Sequence, residues 1–159
     1  MKNFKIYTDG SHLDKLNNGR LGCGGVMINE NGKILGEFSR ELKPEWLKKN
    51  LGSDRVSNPT AELLGVYAAL EEFDFPSDTG KIEILADFLG VQLFLSGQWK
   101  PKEPHIKKAI DLVNGMIKKK GLSQKIKYGW VKGHQKKSIQ TEDAKWNNYV
   151  DSLARGEKN

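Results

Sequence analysis

The chain has 159 residues, of which 37% are hydrophobic, with a single cysteine and a net formal charge of +6. This size suits one compact domain over residues 1–159, one cysteine excludes an internal disulfide, and no apolar run reaches the roughly 20 residues of a membrane-spanning helix. Since no signal-peptide pattern precedes the first predicted strand, we expect a cytoplasmic protein, or a nuclear one in a eukaryote.

The first forty residues predict a three-stranded antiparallel meander. Residues 4–8 alternate apolar and polar side chains, as a half-buried strand does, and Asp9 closes this run. Two further strand-like runs, 22–29 and 33–42, flank a turn that contains Asn31-Gly32. An Asn-Gly pair between two such runs is a strong hairpin signal, so the second and third strands should be neighbours.

After residue 42 the pattern alternates between helices and strands. A long loop is predicted over 43–58, with a helical turn near Trp46, and a helix follows because Ser57 or Asn58 can cap it. The later predicted elements are a strand, two helices, a strand and a last helix, over 81–86, 87–95, 106–117, 125–132 and 149–154. Strands that follow helical crossovers lie parallel to a neighbour. The sequence therefore predicts an α/β fold with a mixed five-stranded sheet, a meander plus parallel strands, flanked by helices.

Charge is unevenly distributed along the chain. Lysine and arginine number 26 against 20 aspartate and glutamate residues, and nearly all of the excess follows residue 99. A one-sided basic surface suits a polyanion, although lysine-rich helix faces also serve only to keep a protein in solution.

Four acidic residues stand at points where predicted strands end or predicted helices face inward. They are Asp9, Glu62, Asp87 and Asp151. If the fold gathers them, their repulsion is severe unless metal cations neutralise it, and a carboxylate cage with two divalent metals can hydrolyse phosphodiesters. Each acid alone also fits a plain structural role, in a turn, at a helix N-terminus or on a solvent-facing helix surface.

Five short motifs run from the first strand to the last helix. They are Tyr7-Thr8-Asp9-Gly10-Ser11, Asn58-x-x-Ala61-Glu62-Leu63, Leu85-Ala86-Asp87, Val131-Lys132-Gly133-His134 and Asn147-x-x-x-Asp151-x-Leu153-Ala154. In this order they resemble type 1 ribonuclease H, with the RNase H-like superfold, over essentially the whole chain.

The resemblance implies endonucleolytic hydrolysis of the RNA strand of RNA–DNA hybrids with two Mg²⁺ ions, or Mn²⁺ as a substitute, leaving 5′-phosphate and 3′-hydroxyl ends. It implies that Asp9 bridges the two metals and that Asp87 helps hold the metal that activates water. Glu62 and Asp151 would help hold the metal at the leaving oxygen. His134 would carry a proton or help the product to leave, as the titration range of histidine permits.

The resemblance also implies contacts to the hybrid, which we expect a monomer to bind without an obligate protein partner. The residues concerned are Gly10, Ser11, Asn18 or its neighbour Asn17, Arg55, Ser57, Asn58 and Asn147. The basic protrusion of some family members is missing, so we expect Trp99, Lys100, Lys102 and the lysines at 118–120 to supply hybrid affinity. The other tryptophans, Trp46, Trp130 and Trp146, are expected to be packing residues.

Two features depart from the family pattern. Phe88-Leu89 follows Asp87 where a small polar residue is usual, and the loop from His134 to Asp151 is longer than usual. The first departure favours a non-catalytic nucleic-acid-binding domain that kept the fold. The four carboxylates disfavour this alternative, because a binder gains nothing from negative charge beside phosphate. A DNA nuclease of the integrase or resolvase kind is the other alternative, and the His134 loop and the motif around Glu62 disfavour it.

Overall fold

The computed structural model describes residues 1–13, 20–54, 57–133 and 141–157. Its strands are β1 (Lys2–Leu13), β2 (Arg20–Ile28), β3 (Ile34–Leu42), β4 (Thr79–Ala86) and β5 (Ile126–Trp130). Its helices are α1 (Pro44–Leu51), α2 (Asn58–Glu72), α3 (Leu89–Leu95), α4 (Pro104–Lys119) and α5 (Glu142–Ala154). Among the helices described, none has the length and apolar character to cross a bilayer.

One mixed sheet of five strands, in the order β3-β2-β1-β4-β5, organises the molecule. Strands β1, β2 and β3 pair antiparallel, whereas β4 pairs parallel with β1 and β5 pairs parallel with β4. The predicted meander and the predicted parallel strands are both confirmed. The hairpin between β2 and β3 turns at the predicted Asn-Gly pair, where the Gly32 N–H donates to the Asn29 carbonyl over 3.0 Å.

Helices cover both faces of the sheet and divide the core in two. Because successive strand residues point to opposite faces, Ile6 enters the larger cluster beneath α2 and α4, while Tyr7 enters a smaller cluster beneath α5. The larger cluster includes Leu63 from α2 and Val113 from α4. The central strands β1 and β4 are therefore held from both sides, and the residues at their C-terminal ends have fixed positions.

Several predicted boundaries differ in the structure, and the last helix, for example, begins at Glu142 and not near Tyr149. The predicted loop over 43–58 contains α1, which forms because Leu47 and Leu51, one turn apart, are both buried. Strand β1 does not end at Asp9 but continues to Leu13, because each of these residues still pairs with β2, from Asp9 opposite Gly24 onward. Asp9 thus lies within a strand, with neighbours on both sides.

Candidate active site

A close approach between β1 and α2 brings Asp9 and Glu62 together. A Cβ added to Gly10 would lie only 2.0 Å from the carbonyl oxygen of Ala61, so no residue other than glycine fits at this crossing. Glu62, the next residue of α2, is consequently placed against β1, and the Gly10 backbone hydrogen-bonds to its carboxylate.

The register between β1 and β4 brings the third carboxylate to the same place. Tyr7 pairs with Leu85, so two residues further on Asp87 comes level with Asp9 as it leaves β4. One carboxylate oxygen from each of Asp9, Glu62 and Asp87 lies within 4.8 Å of the others. Three of the four predicted acids therefore form a compact cluster of oxygen atoms.

The fourth acid reaches the cluster from α5, on the other face of the sheet. Gly24 pairs with Asp9, and a Cβ added to it would lie 2.7 Å from the carbonyl oxygen of Val150, so α5 packs directly on the backbone of β2. Asp151, the next residue of α5, hydrogen-bonds to Asp9. It also forms an ion pair with Arg155, with 3.3 Å between Nη2 and Oδ2.

The cluster resists carrying its full negative charge. Burial, together with the charges of Asp87 and Asp151, raises the pKa of Asp9 to about 8. Burial likewise raises the pKa of Glu62 well above its ordinary value, and the charge of Asp9 adds to this. Full ionisation of the metal-free cluster is therefore unfavourable, and a bound cation would offset this cost.

The site has the donors that a divalent cation needs. The Oε2 atom of Glu62 is buried and has no hydrogen-bond partner. Such an orphaned oxygen beside two further carboxylates is the hard donor set that Mg²⁺ and Mn²⁺ prefer. The side chains present thus fit a divalent metal.

The cluster stands in a cavity of about 350 Å³ that is open to solvent. Gly10, Ser11 and Asn58, which were predicted to contact the hybrid, line it. The lining also includes residues that were not predicted, among them His12, Phe88 and Arg155. His12 was missed because β1 was expected to end at Asp9. Arg155 follows Asp151 by four residues, a helical spacing of opposite charges that could have revealed it.

The other predicted contact residues range from buried to exposed, and some lie outside the described residues. Ser57 is the N-cap residue of α2, and its hydroxyl lies 3.2 Å from that of Thr60. Asn147 is buried on α5, with 5% of its surface exposed. Trp99 is 46% exposed, with its ring against the edge of Phe94, and Lys100 is exposed. The remaining predictions, His134, Arg55, Asn17 and Asn18, lie outside the described residues.

The expectation for one aromatic residue needs correction, and one basic residue has an added structural role. Trp130 is not a packing residue, because its side chain is 50% exposed and its indole N–H donates to the Asp87 carbonyl. Lys120 has a structural role that was not expected, since its ammonium group donates to the carbonyls of Glu71 and Phe73 at the end of α2. The prediction for Trp146 is confirmed, because it is buried and stacks on Tyr7.

The sheet order and the buried carboxylates together define a class, an α/β domain with an acidic cluster at the C-terminal side of its central strands. The family model for RNase H matches residues 1–158. The chain therefore belongs to the RNase H family.

Solved structures share the fold at low sequence identity. The N-terminal RNase H domain of Rv2228c from Mycobacterium tuberculosis is 23% identical with a TM-score of 0.69, covering 98% of this chain and 93% of that one. RNase H1 from the archaeon Halobacterium salinarum is 21% identical with a TM-score of 0.68, covering 96% and 95%. LC11-RNase H1, isolated from compost metagenomically and solved with an RNA/DNA hybrid, is 20% identical with a TM-score of 0.69, covering 97% and 95%. A search of the curated proteins finds no match.

Proposed function

We propose that this chain is a metal-dependent endoribonuclease that hydrolyses the RNA strand of RNA–DNA hybrids. The observation that carries the proposal is the cluster of Asp9, Glu62 and Asp87, whose oxygens lie within 4.8 Å of one another in a chain of the RNase H family. A net charge of +6 around this acidic centre suits a polyanionic substrate. The LC11-RNase H1 structure, which shares the fold, contains an RNA/DNA hybrid.

Two Mg²⁺ ions, or Mn²⁺ ions in their place, would supply an activated water and stabilise charge on the departing oxygen. Asp9, at the centre of the cluster, would be shared between the two ions. Asp87 would hold the ion on the side of the attacking water, and Glu62 and Asp151 the ion on the leaving side. No covalent nucleophile would be needed: the water oxygen would bond to phosphorus and the P–O3′ bond would break, leaving 5′-phosphate and 3′-hydroxyl ends.

Proton movement is assigned to a histidine. The imidazole of His134 would carry a proton during hydrolysis or help the product to leave, since histidine titrates near neutral pH. His134 follows Gly133, whose backbone lies against the Asp87 carboxylate, since a Cβ added to Gly133 would lie 3.0 Å from Oδ2 of Asp87.

The hybrid would be held by backbone and side-chain contacts around the cavity. Gly10, Ser11 and Asn58 line the cavity and would contact the RNA strand and the minor groove. Ser57, together with Arg55, would grip a phosphate of the DNA strand, and Asn18 would add a groove contact. Such contacts follow shape and phosphates, so little sequence preference is expected.

Further from the cavity, two more residues complete the proposed surface. The exposed Trp99 and Lys100 would contact the hybrid beyond the cleavage site. Asn147 is buried, so we assign it the positioning of α5 instead of direct contact. The enzyme would act as a single domain and as a monomer.

A substrate panel tests the proposed function. The protein is incubated with Mg²⁺ or Mn²⁺ and end-labelled RNA–DNA hybrid, duplex RNA, duplex DNA or single strands. Cleavage confined to the RNA of the hybrid is the expected result. Cleavage of DNA would point to the integrase or resolvase alternative, and hybrid binding without cleavage under either metal would identify a non-catalytic binding domain.

A further inference from the structure

Trp130 is a large apolar residue, and burial in the core does not explain its presence at this position. It is the last residue of β5, and half of its side chain surface is exposed, at 50%. Its indole N–H donates to the main-chain carbonyl of Asp87 over 3.1 Å. A tryptophan at this exposure gains little from the hydrophobic effect, so the hydrogen bond is the contact that distinguishes it from a smaller residue.

Two further contacts reach the same segment from the end of β5. The N–H of Val131 donates to the carbonyl of Ala86 over 2.9 Å. The backbone of Gly133 lies against the Asp87 carboxylate, because a Cβ at this glycine would stand 3.0 Å from Oδ2. Residues 130–133, which we call the β5 clamp, therefore contact the segment from Ala86 to Asp87 at three points.

The Asp87 segment lies between regular elements. Strand β4 ends at Ala86 and α3 begins at Leu89, so Asp87 and Phe88 belong to neither. Phe88 is the N-cap residue of α3 and makes no side-chain capping bond. Its ring lies over Gly90, where an added Cβ would approach it to 2.2 Å, and it offers the metal site no polar group.

We propose that Trp130 is a positioning residue whose indole N–H fixes the Asp87 peptide, so that the Asp87 carboxylate stays beside those of Asp9 and Glu62. This inference rests on the proposed metal-dependent function. Trp130 acts through Asp87 and contacts neither metal nor substrate. Hydrogen bonds that orient metal ligands typically change metal affinity about 10- to 100-fold when they are lost. Because this bond is made to the peptide and not to the carboxylate itself, we expect the lower end of that range.

The test is metal binding without substrate. Trp130→Phe keeps an aromatic ring and removes the N–H donor, and Mn²⁺ is titrated calorimetrically into this variant and the wild-type protein. The expected result is a Kd for Mn²⁺ raised about tenfold, with more metal required for cleavage and an unchanged KM for the hybrid at saturating metal. Trp46→Phe, a like change at a half-buried tryptophan of α1, is the matched control and should leave the Kd unchanged.

A second variant separates the hydrogen bond from the packing of the ring. Replacing Trp130 with benzothienylalanine exchanges the N–H for sulfur while keeping the bicyclic shape, and it should raise the Kd for Mn²⁺ as Phe does. Wild-type affinity in both variants overturns the inference. A raised hybrid KM with unchanged metal affinity also overturns it, because Trp130 would then contact substrate. A wild-type protein that binds no metal and cleaves no hybrid overturns the proposed function itself.

Discussion

Asp9 is the residue on which the site depends most. It is buried, it is the member that touches both Glu62 and Asp151, and it lies level with Asp87. Burial and the charges of its neighbours make its ionised form unfavourable in the metal-free protein. The same arrangement that is unfavourable without metal has the donor set of a cation site.

Asp9→Asn should abolish most of the activity. The amide keeps the shape of the side chain but loses the charge, so cleavage of hybrid RNA should fall by more than about 100-fold, beyond the loss usual for outer-shell partners of a metal ligand. Folding should survive, because removing one of several crowded carboxylates relieves repulsion. Initial rates and circular dichroism of the two proteins provide the measurement, and a fully active variant would show that the site is assigned wrongly.

The raised pKa of Asp9 should make the stability of the metal-free protein depend on pH. Its pKa is raised from 3.8 to about 8 on folding, so the folded state retains a proton that the unfolded chain releases. The associated stability is present below the unfolded pKa and is lost as the pH rises through the folded pKa. Without metal, the free energy of unfolding should therefore fall between about pH 4 and about pH 8.

Urea unfolding in the presence of a chelator measures this decrease in the free energy of unfolding, and the Asp9→Asn variant is the control. The variant lacks the titrating group, so its stability should fall less than that of the wild type over the same range. Added Mg²⁺ should restore the wild-type protein at the alkaline end. An identical pH dependence in both proteins would contradict the raised pKa of Asp9.

At the scale of elements, the positions of α2 and α5 decide whether the acids meet. Helix α2 crosses β1 at Gly10, and α5 crosses β2 at Gly24. Helix α2 is also fixed at its far end, where Lys120 donates to the carbonyls of Glu71 and Phe73 over 3.0 and 2.9 Å. These contacts hold the two helices in position relative to the strand that carries Asp9.

Lys120→Met should lower stability without changing hybrid affinity. It removes two hydrogen bonds from a charged donor to carbonyls at the end of α2, and we expect a loss of about 1–2 kcal/mol in the free energy of unfolding. Lys119→Met, at the exposed neighbouring lysine, should change stability by less than about 0.5 kcal/mol. Chemical denaturation and hybrid binding are measured together, and weaker binding by Lys120→Met would return this lysine to the substrate surface.

Gly24→Ala should displace α5. The new Cβ would meet the Val150 carbonyl at 2.7 Å, an overpacked contact that costs about 1–3 kcal/mol and shifts Asp151 away from Asp9. Gly115→Ala on α4 is the matched control, since nothing lies within 4 Å of its added Cβ. The control should gain up to about 1 kcal/mol from helix propensity. Thermal unfolding and Mn²⁺ affinity distinguish the two, and a fully stable Gly24→Ala protein would contradict the close crossing.

The sequence predicted the sheet well where local signals were strong. The Asn31-Gly32 turn and the helical crossovers were enough for the mixed sheet. Helix α1 was predicted only as a helical turn near Trp46, because an eight-residue helix shows only one buried repeat, Leu47 and Leu51. The continuation of β1 beyond Asp9 was missed because Gly10-Ser11-His12 has no apolar alternation and owes its strand conformation to pairing with β2.

The sequence predicted the carboxylates of the site but not the residues that hold them in position. The order of the five motifs resembles that of type 1 ribonuclease H, and this resemblance pointed to Asp9, Glu62, Asp87 and Asp151. The bond from Trp130 to Asp87 is a contact between residues 43 positions apart, and no local pattern reveals it. Lys120 likewise looks like part of a basic run, and only the packing of α4 beside α2 shows its structural use.

At the scale of the whole molecule, a basic chain surrounds an acidic centre. The net charge is +6, while the cluster gathers carboxylates whose pKa values are raised by burial. In the proposed reaction, positive charge at the surface would draw a nucleic acid toward the protein, and cations at the centre would allow its phosphates to approach the carboxylates. Both halves of this arrangement are needed for the proposed reaction, because neither positive surface charge nor an acidic cluster alone cleaves a phosphodiester.

The most direct measurement is cleavage of an end-labelled RNA–DNA hybrid by the wild-type protein with Mg²⁺ or Mn²⁺, with chelator and with the Asp9→Asn variant in parallel. We expect cuts within the RNA strand that require the metal, leave 3′-hydroxyl ends and vanish with the variant. An intact hybrid under both metals, or cleavage that persists in chelator, would contradict it.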